Sequence, residues 1–335
     1  GRRHFGYNCA CREDWTMVEH VVVMAAGEGR RMGDLTRTRP KAMLPILGKP
    51  MIARVMDGFY QVGVRRFTVV VGQHEGSVAG WLSRKWHPDA ALHFVPQGYR
   101  RGTAAALLAA RDTIDGCFIL TSCDNLIPER HAARLVGHFE ARPGDVAVLS
   151  LIYAPDQVAT SAGVLLAPDG HVASIAEKPT DAHPNFLTSF SVYGFAPHIL
   201  DYLDRVPMSA SGERVLTDAI QAMIDDGLAV GHTEAEWRQH LTHPEDLLQV
   251  NMRYLSELNE TSLLSELPPS VQVISPVRVD SGVTVGQGVR LGPNVYLEAG
   301  SVVGQAAELS YCVVLGCTVG ARQRVTDQIV GQDQR

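Results

Sequence analysis

The chain lacks any large excess of charge, any long apolar run and any regular spacing of metal-binding side chains, and each absence excludes a class. Its 30 Lys and Arg against 36 Asp and Glu leave a formal charge of −6. That argues against a nucleic-acid binder, which carries a basic excess. No apolar stretch approaches the ~20 residues needed to cross a bilayer, and residues 1–16 lack the apolar core of a secretory signal. The 6 cysteines are scattered. Cys9-x-Cys11 is too little for a zinc site, and the pattern suits a reducing cytoplasm. Histidines 74, 87, 93, 131, 138, 171, 183, 198 and 232 show no ligand spacing and read as surface or core residues; none follows His243. There is no G-x-G-x-x-G fingerprint, no Walker A motif and no Gly-x-Ser-x-Gly elbow.

What is present is ordinary globular composition over 335 residues, enough for two domains with ample core. Residues 1–16 read as an extension or artefact, because Met17 shortly precedes the first strand and makes a natural start. The centre of organisation is His20-Val-Val-Val-Met-Ala-Ala-Gly-Glu-Gly-Arg-Arg31, followed by Pro40-Lys41 and Gly48-Lys49-Pro50. Val21 to Met24 reads as a strand buried on both faces of a parallel sheet. It stops at Ala25-Ala26-Gly27-x-Gly29, where side chains vanish and backbone N–H groups can approach a phosphate. Arg31 and Lys41 bring two cations towards that place.

Further strands are expected at Phe67–Val71, Ala91–Val95, Cys117–Thr121 and 145–152, with helices from Pro50 to Gly63 and from Ala104 to Ile114. This alternation implies a mostly parallel α/β sheet with its ligand at the strands' carboxyl ends. Gly27, Gly98 and Asp124 fall at or just beyond such ends. From about Gly163 the strands shorten, as in a substrate lobe placed over the sheet. Pro244 to Leu264 reads as a helix leaving it, and Leu267-Pro-Pro-Ser270 breaks the chain. Beyond Val271 the apolar period becomes six: Val277/Val279, Val283/Val285, Val289/Leu291, Val295/Leu297, then Val303, Leu309 and Leu315. Such hexads resemble a left-handed parallel β-helix of about three coils. An uncapped coil end predicts association between subunits.

The glycine-rich stretch with Arg31, Pro40-Lys41 and Gly48-Lys49-Pro50 resembles the signature of the sugar-1-phosphate nucleotidylyltransferases, departing at Arg30, where the family has Thr or Ser. The resemblance implies a Rossmann-like, mostly parallel nucleotidyltransferase domain over residues 17–250, a helix and linker over 251–268 and a β-helix over 269–335. It also implies a Mg²⁺-dependent reaction; composition adds the expectation of a cytoplasmic enzyme without nucleic acid or membrane as partner, and the uncapped coil end that of homo-oligomers formed through the β-helix. A sugar-1-phosphate oxygen attacks the α-phosphorus of UTP or dTTP, and pyrophosphate leaves. By the same resemblance Arg31 and Lys41 are catalytic. Ala25, Ala26, Gly27, Gly29, Gln97, Gly102 and Thr103 hold the nucleotide, the Gln97 amide matching the O/N–H edge of uracil or thymine. Gly163, Glu177, Lys178 and Ser189 hold the sugar phosphate, glucose-1-phosphate or an N-acetylhexosamine-1-phosphate. The family's Asn-x-Gly appears as Ser189-Phe190-Ser191, leaving the sugar open.

Asp124 is the implied metal ligand. The position of the family's second metal aspartate is His240 here, and Asn251 is taken in its place. Three other readings stay open: a cytidylyltransferase acting on another phosphorylated alcohol, a non-catalytic nucleotide-sugar-binding regulatory paralogue, and a β-helix that also transfers acyl groups. The last is disfavoured because that chemistry uses a histidine base.

Overall fold

Val21, Val22 and Val23 have no exposed surface, and the reason lies in their neighbours. A computed structural model describes residues 17–72, 76–98, 102–181, 183–206, 214–258 and 260–331; the 1–16 extension, with Cys9 and Cys11, and His74 lie outside these. Strand β1 (His20–Ala25) is flanked in parallel by β2 (Arg66–Val71) and β4 (Phe118–Ser122), and β3 (Ala91–Pro96) pairs in parallel with β2. A strand with a parallel partner on each side and cover on both faces reads as an unbroken apolar run.

Downstream, the expected lobe of short strands is instead part of the same nine-stranded sheet. Strand β8 (Leu187–Phe195) runs antiparallel to β4 on one side. Its other side is taken by β5 (Ala147–Ile152), while β6 (Ala162–Leu166) pairs with Leu187–Ser189 on the same side as β4, both antiparallel. Strand β7 (Val172–Glu177) extends β6, and β9 (Val230–Glu234) lies parallel to β5. One long strand thus serves three partners, a pairing that leaves no local signature in sequence.

Two helices are shorter than their patterns predict. The helix Thr103–Ala109 gives way to a 3-10 turn at Arg111–Thr113, where the Thr113 amide and hydroxyl both donate to Ala110 O, at 2.9 and 2.7 Å. The helix Pro244–Leu258 stops before Leu264 because Ser262–Leu263 becomes a strand paired with Arg278–Val279.

The C-terminal hexads form a parallel β-helix. Val277 pairs with Val295, Thr284 with Val302 and Arg290 with Glu308, each eighteen residues on, so three hexads make one coil. The last coil is tighter, with Val302 pairing with Thr318 and Glu308 with Arg324, sixteen residues on. The hexad residues Val277, Val279, Val283, Val285, Val289, Leu291, Val295, Leu297, Val303 and Leu309 form one buried core. The corners use left-handed backbone in stacked columns: Gly282, Gly300 and Gly316 in one, and Asn294, Tyr311 and Asp327 in another.

The chain forms two compact units, one of residues up to Ala26 with Met56–Arg238, the other of Gly27–Val55 with the residues from Gln239 onward. The segment carrying Arg31 and Lys41 therefore belongs with the β-helix. Among the described residues no helix is long and apolar enough to cross a membrane.

Candidate active site

In the first unit the four parallel strands β1 to β4 open their carboxyl ends along one edge. Ala25 ends β1 and Ala26 follows it; Gln97 follows β3, its N–H bonded to Val71 O at 3.0 Å. Cys123 and Asp124 follow β4, with Cys123 N–H bonded to Met24 O at 3.0 Å. Asp124 is half-buried. The Ser122 hydroxyl donates to its Oδ1 at 2.6 Å, and Asn125 Nδ2 donates to the Ser122 hydroxyl at 2.8 Å. The carboxylate is thereby oriented before any ligand arrives.

The Gln97 side chain donates to Gly102 O at 3.3 Å. Gly102 has φ +101°, and a Cβ there would lie 2.5 Å from Arg214 O. Its need for glycine therefore comes from the backbone of Arg214, a reason the sequence did not suggest. Thr103 is engaged nearby, its hydroxyl accepting the Leu216 N–H at 3.2 Å.

The sugar-side residues meet through register. Ala162 faces Glu177 on β7 and Ser189 on β8, which puts these two in one row across three strands. Gly163 lies in the next row, and a Cβ there would press on Phe186 and Val158 at 3.0 to 3.1 Å. Burial holds the Glu177 carboxyl above the usual carboxylate range, opposed by the Lys178 ammonium, 3.8 Å away. Lys178 itself is exposed, on left-handed backbone with φ +45°.

Two further residues complete this group: Arg238, which no motif marks, and Tyr193, four residues beyond Ser189 on β8. The Arg238 guanidinium lies 5.3 Å over the Phe190 ring and donates to Gln157 Oε1. Burial lowers its pKa, with Tyr193 and Asp124 as the charges that oppose the shift. The Tyr193 hydroxyl is pushed up to about 12 by burial, with Glu177 among its charged neighbours. Asp124, Arg238, Tyr193 and Glu177 thus form a chain of electrostatic neighbours. Arg238 carries no motif, and only the fold places it beside these groups.

In the second unit, Gly27 stands where an added Cβ would meet nothing, so its surroundings are open. Gly29 differs: φ is +64°, and a Cβ there would lie 2.8 Å from Lys41 Cβ. The Thr36 hydroxyl donates to Gly29 O at 3.1 Å and closes this loop. Arg31 is exposed on the 3-10 turn Arg30–Thr36, whereas Lys41, at the start of Lys41–Met43, is 9% exposed.

Asn251 does not behave as the second metal ligand expected from the sequence. It is fully buried. Its Oδ1 accepts the Leu47 N–H at 2.9 Å, and its Nδ2 donates to Pro45 O at 3.2 Å and Leu247 O at 2.9 Å. A magnesium ligand needs an oxygen open to phosphate and water; this one clamps the backbone of residues 45–47. His240 Nδ1 is 3.3 Å from the Thr242 hydroxyl.

A nucleotidyl transferase family model matches residues 20–257. The chain belongs to the nucleotidyl transferase family. This nucleotidyl transferase is 28% identical over 244 residues to UTP–glucose-1-phosphate uridylyltransferase AglF of Haloferax volcanii, covering 72% of this chain and 99% of that one. It is 27% identical over 332 residues to the bifunctional protein GlmU of Methanocaldococcus jannaschii, covering 93% and 78%. It is also 29% identical over 242 residues to the low-salt glycan biosynthesis nucleotidyltransferase Agl11 of Haloferax volcanii, and spans 66% of that protein's length. Among solved structures it resembles UDP-glucose pyrophosphorylase complexed with UDP-glucose, with TM-score 0.64 and 20% identity over 72% of this chain and all of the other. At that identity the likeness speaks for the fold.

Proposed function

We propose that this nucleotidyl transferase moves a uridylyl or thymidylyl group from UTP or dTTP to a sugar-1-phosphate, glucose-1-phosphate or an N-acetylhexosamine-1-phosphate, and releases pyrophosphate. The observation that carries the reading is the signature itself: strand β1 ends in Ala25-Ala26-Gly27 and leads directly to exposed Arg31 and to Lys41. The uridylyltransferase among its relatives agrees with it.

In this reading an oxygen of the sugar phosphate bonds to the α-phosphorus as the bond from that phosphorus to the bridging oxygen of pyrophosphate breaks. Two polyanions must be held in line while charge builds on the leaving group, so positioned cations carry the catalysis. Arg31 grips the triphosphate, and Lys41 meets the pyrophosphate or the sugar phosphate. Gln97 reads the base, while Glu177 accepts hydrogen bonds from sugar hydroxyls. Lys178 pairs with the sugar phosphate, and Arg238 adds a cation on the Asp124 side.

Asp124 suits a hard divalent cation: it is one oriented carboxylate at a strand end, and Mg²⁺ characteristically takes one or two carboxylates and completes its shell with phosphate and water. When bound, the ion would neutralise phosphate charge. A pyrophosphate-release assay crossing the four nucleoside triphosphates with several sugar phosphates tests the reading. Turnover with UTP or dTTP is expected. Preference for CTP overturns the base assignment, and binding without turnover makes the chain a regulatory paralogue.

A further inference from the structure

The outer surface of a β-helix coil is ordinarily wet, yet Tyr296 has no exposed surface. Val295 and Leu297 belong to the coil core and flank it, so by alternation Tyr296 points out. Its cover comes from the same unit: the helix Pro244–Leu258 packs against its strand, and the segment Gly27–Val55 reaches its hydroxyl. The Tyr296 hydroxyl accepts the Gly48 N–H at 2.9 Å and donates to Asp280 Oδ2 at 2.8 Å, while Arg278 Nε donates to Asp280 Oδ1 at 2.8 Å. Gly48 sits so close that a Cβ would meet Arg278 Nη2 at 2.5 Å, and its φ of +75° also calls for glycine.

A second clasp closes on the same patch. Arg39 forks onto Glu298, Nη1 to Oε1 at 2.6 Å and Nη2 to Oε2 at 3.0 Å, with the two side chains 25% and 17% exposed. Two-pronged, largely desolvated pairs of this kind fix direction as well as distance. Arg278 pairs with Tyr296 in register, and Asp280 and Glu298 lie eighteen residues apart at the ends of the same two strands. The four residues are therefore one outward patch on adjacent coils.

These clasps hold residues 39 and 48, the two ends of the stretch that contains Lys41. Pro40, with its ring-fixed φ of −59°, is all that separates Arg39 from Lys41. The family match ends at residue 257, before the coils, so the patch lies outside the part shared with the family model.

We propose that Glu298, Tyr296 and Asp280 are positioning residues for the nucleotidyl-transfer reaction. They set the place of Lys41 through Arg39 and Gly48, which makes the β-helix a working part of the active centre. This rests on the function proposed above.

The full-length chain tests it. Glu298→Ala is expected to lower kcat about ten- to hundredfold, as sub-ångström misplacement of a catalytic group does, while KM for the triphosphate moves less than about threefold. Tyr296→Phe, which removes only the hydroxyl and keeps the packing, should lower kcat in the same sense. The double variant Arg39→Ala/Glu298→Ala should be no slower than the slower single, and the exchanged pair Arg39→Glu/Glu298→Arg should recover turnover. Folded Glu298→Ala and Tyr296→Phe proteins with kcat within about twofold of the parent, differing only in Tm, would overturn the proposal. If the parent turns over no substrate, the functional reading fails separately. Amide exchange then decides the contact itself: faster exchange of Lys41 to Gly48 in Glu298→Gln supports it, and unchanged exchange refutes it.

Discussion

Arg31 and Lys41 share a motif but are held differently. Arg31 is exposed on a short turn, while Lys41 is nearly buried with its stem against Gly29. Substituting either with alanine should lower turnover by about 10²–10³, the usual loss for one transition-state charge contact, and near-normal pyrophosphate release from Arg31→Ala would remove its role. Asn251 makes a contrasting case. Asn251→Ala leaves the buried Leu47 N–H without its acceptor, at a cost of about 1–3 kcal/mol. The urea midpoint should fall while the magnesium dependence of turnover stays put; a changed magnesium dependence would restore Asn251 as a ligand. Its burial was readable in advance. Leu247, Val250, Asn251 and Leu255 share the inner face of their helix, and a motif-led reading passes over that periodicity. Arg238 offered no such signal, because only long-range pairing brings it near Asp124.

At the scale of elements, two buried histidines join sheet strands to their surroundings. His20 Nε2 on β1 lies 2.9 Å from the Thr68 hydroxyl on β2, and His131 Nε2 lies 2.8 Å from the Ser150 hydroxyl on β5. Burial lowers both pKa values to about 4. The unfolded chain takes up these protons below the ordinary imidazole pKa and the folded chain does not, so stability is complete above that value and drains as pH falls towards 4. Each site accounts for roughly 3 kcal/mol. Urea midpoints at pH 7 and pH 4.5 should differ strongly, and His131→Gln should shrink the difference; an unchanged difference would refute the assignment. His171 runs the other way. Asp169, then Asp145, raise its pKa, so its contribution is complete at low pH and lost as pH rises through the raised value. The β-helix was the most legible element, since an apolar period of six needs no partner to reveal it. Strand β8 was the least: its three partners lie far away in sequence, and a strand buried nearly throughout shows no alternation.

At the scale of the whole molecule, a bound ligand is read as added stability. A triphosphate at about one hundred times its Kd adds about 2.7 kcal/mol to a protein that binds it only when folded, which raises Tm by several degrees in a chain of this size. If Arg31 and Lys41 embrace the triphosphate and Asp124 holds the metal, the gain has two separable parts. UTP or dTTP alone should raise Tm, and magnesium should raise it further. Asp124→Asn should keep the first increment and lose the second, while Arg31→Ala should lose most of the first. In the function proposed above Gln97 reads the base, and pairing cytosine instead of uracil or thymine needs its amide turned over, which gives up the Nε2 bond to Gly102 O. CTP with magnesium should accordingly shift Tm less than UTP does, and equal shifts for all four triphosphates would leave Gln97 without a reading role. Stability needs no turnover, so these melts set beside pyrophosphate release tell a catalyst from a silent binder. A catalyst given both substrates releases pyrophosphate under the conditions that raise Tm, and a silent binder shows the rise alone.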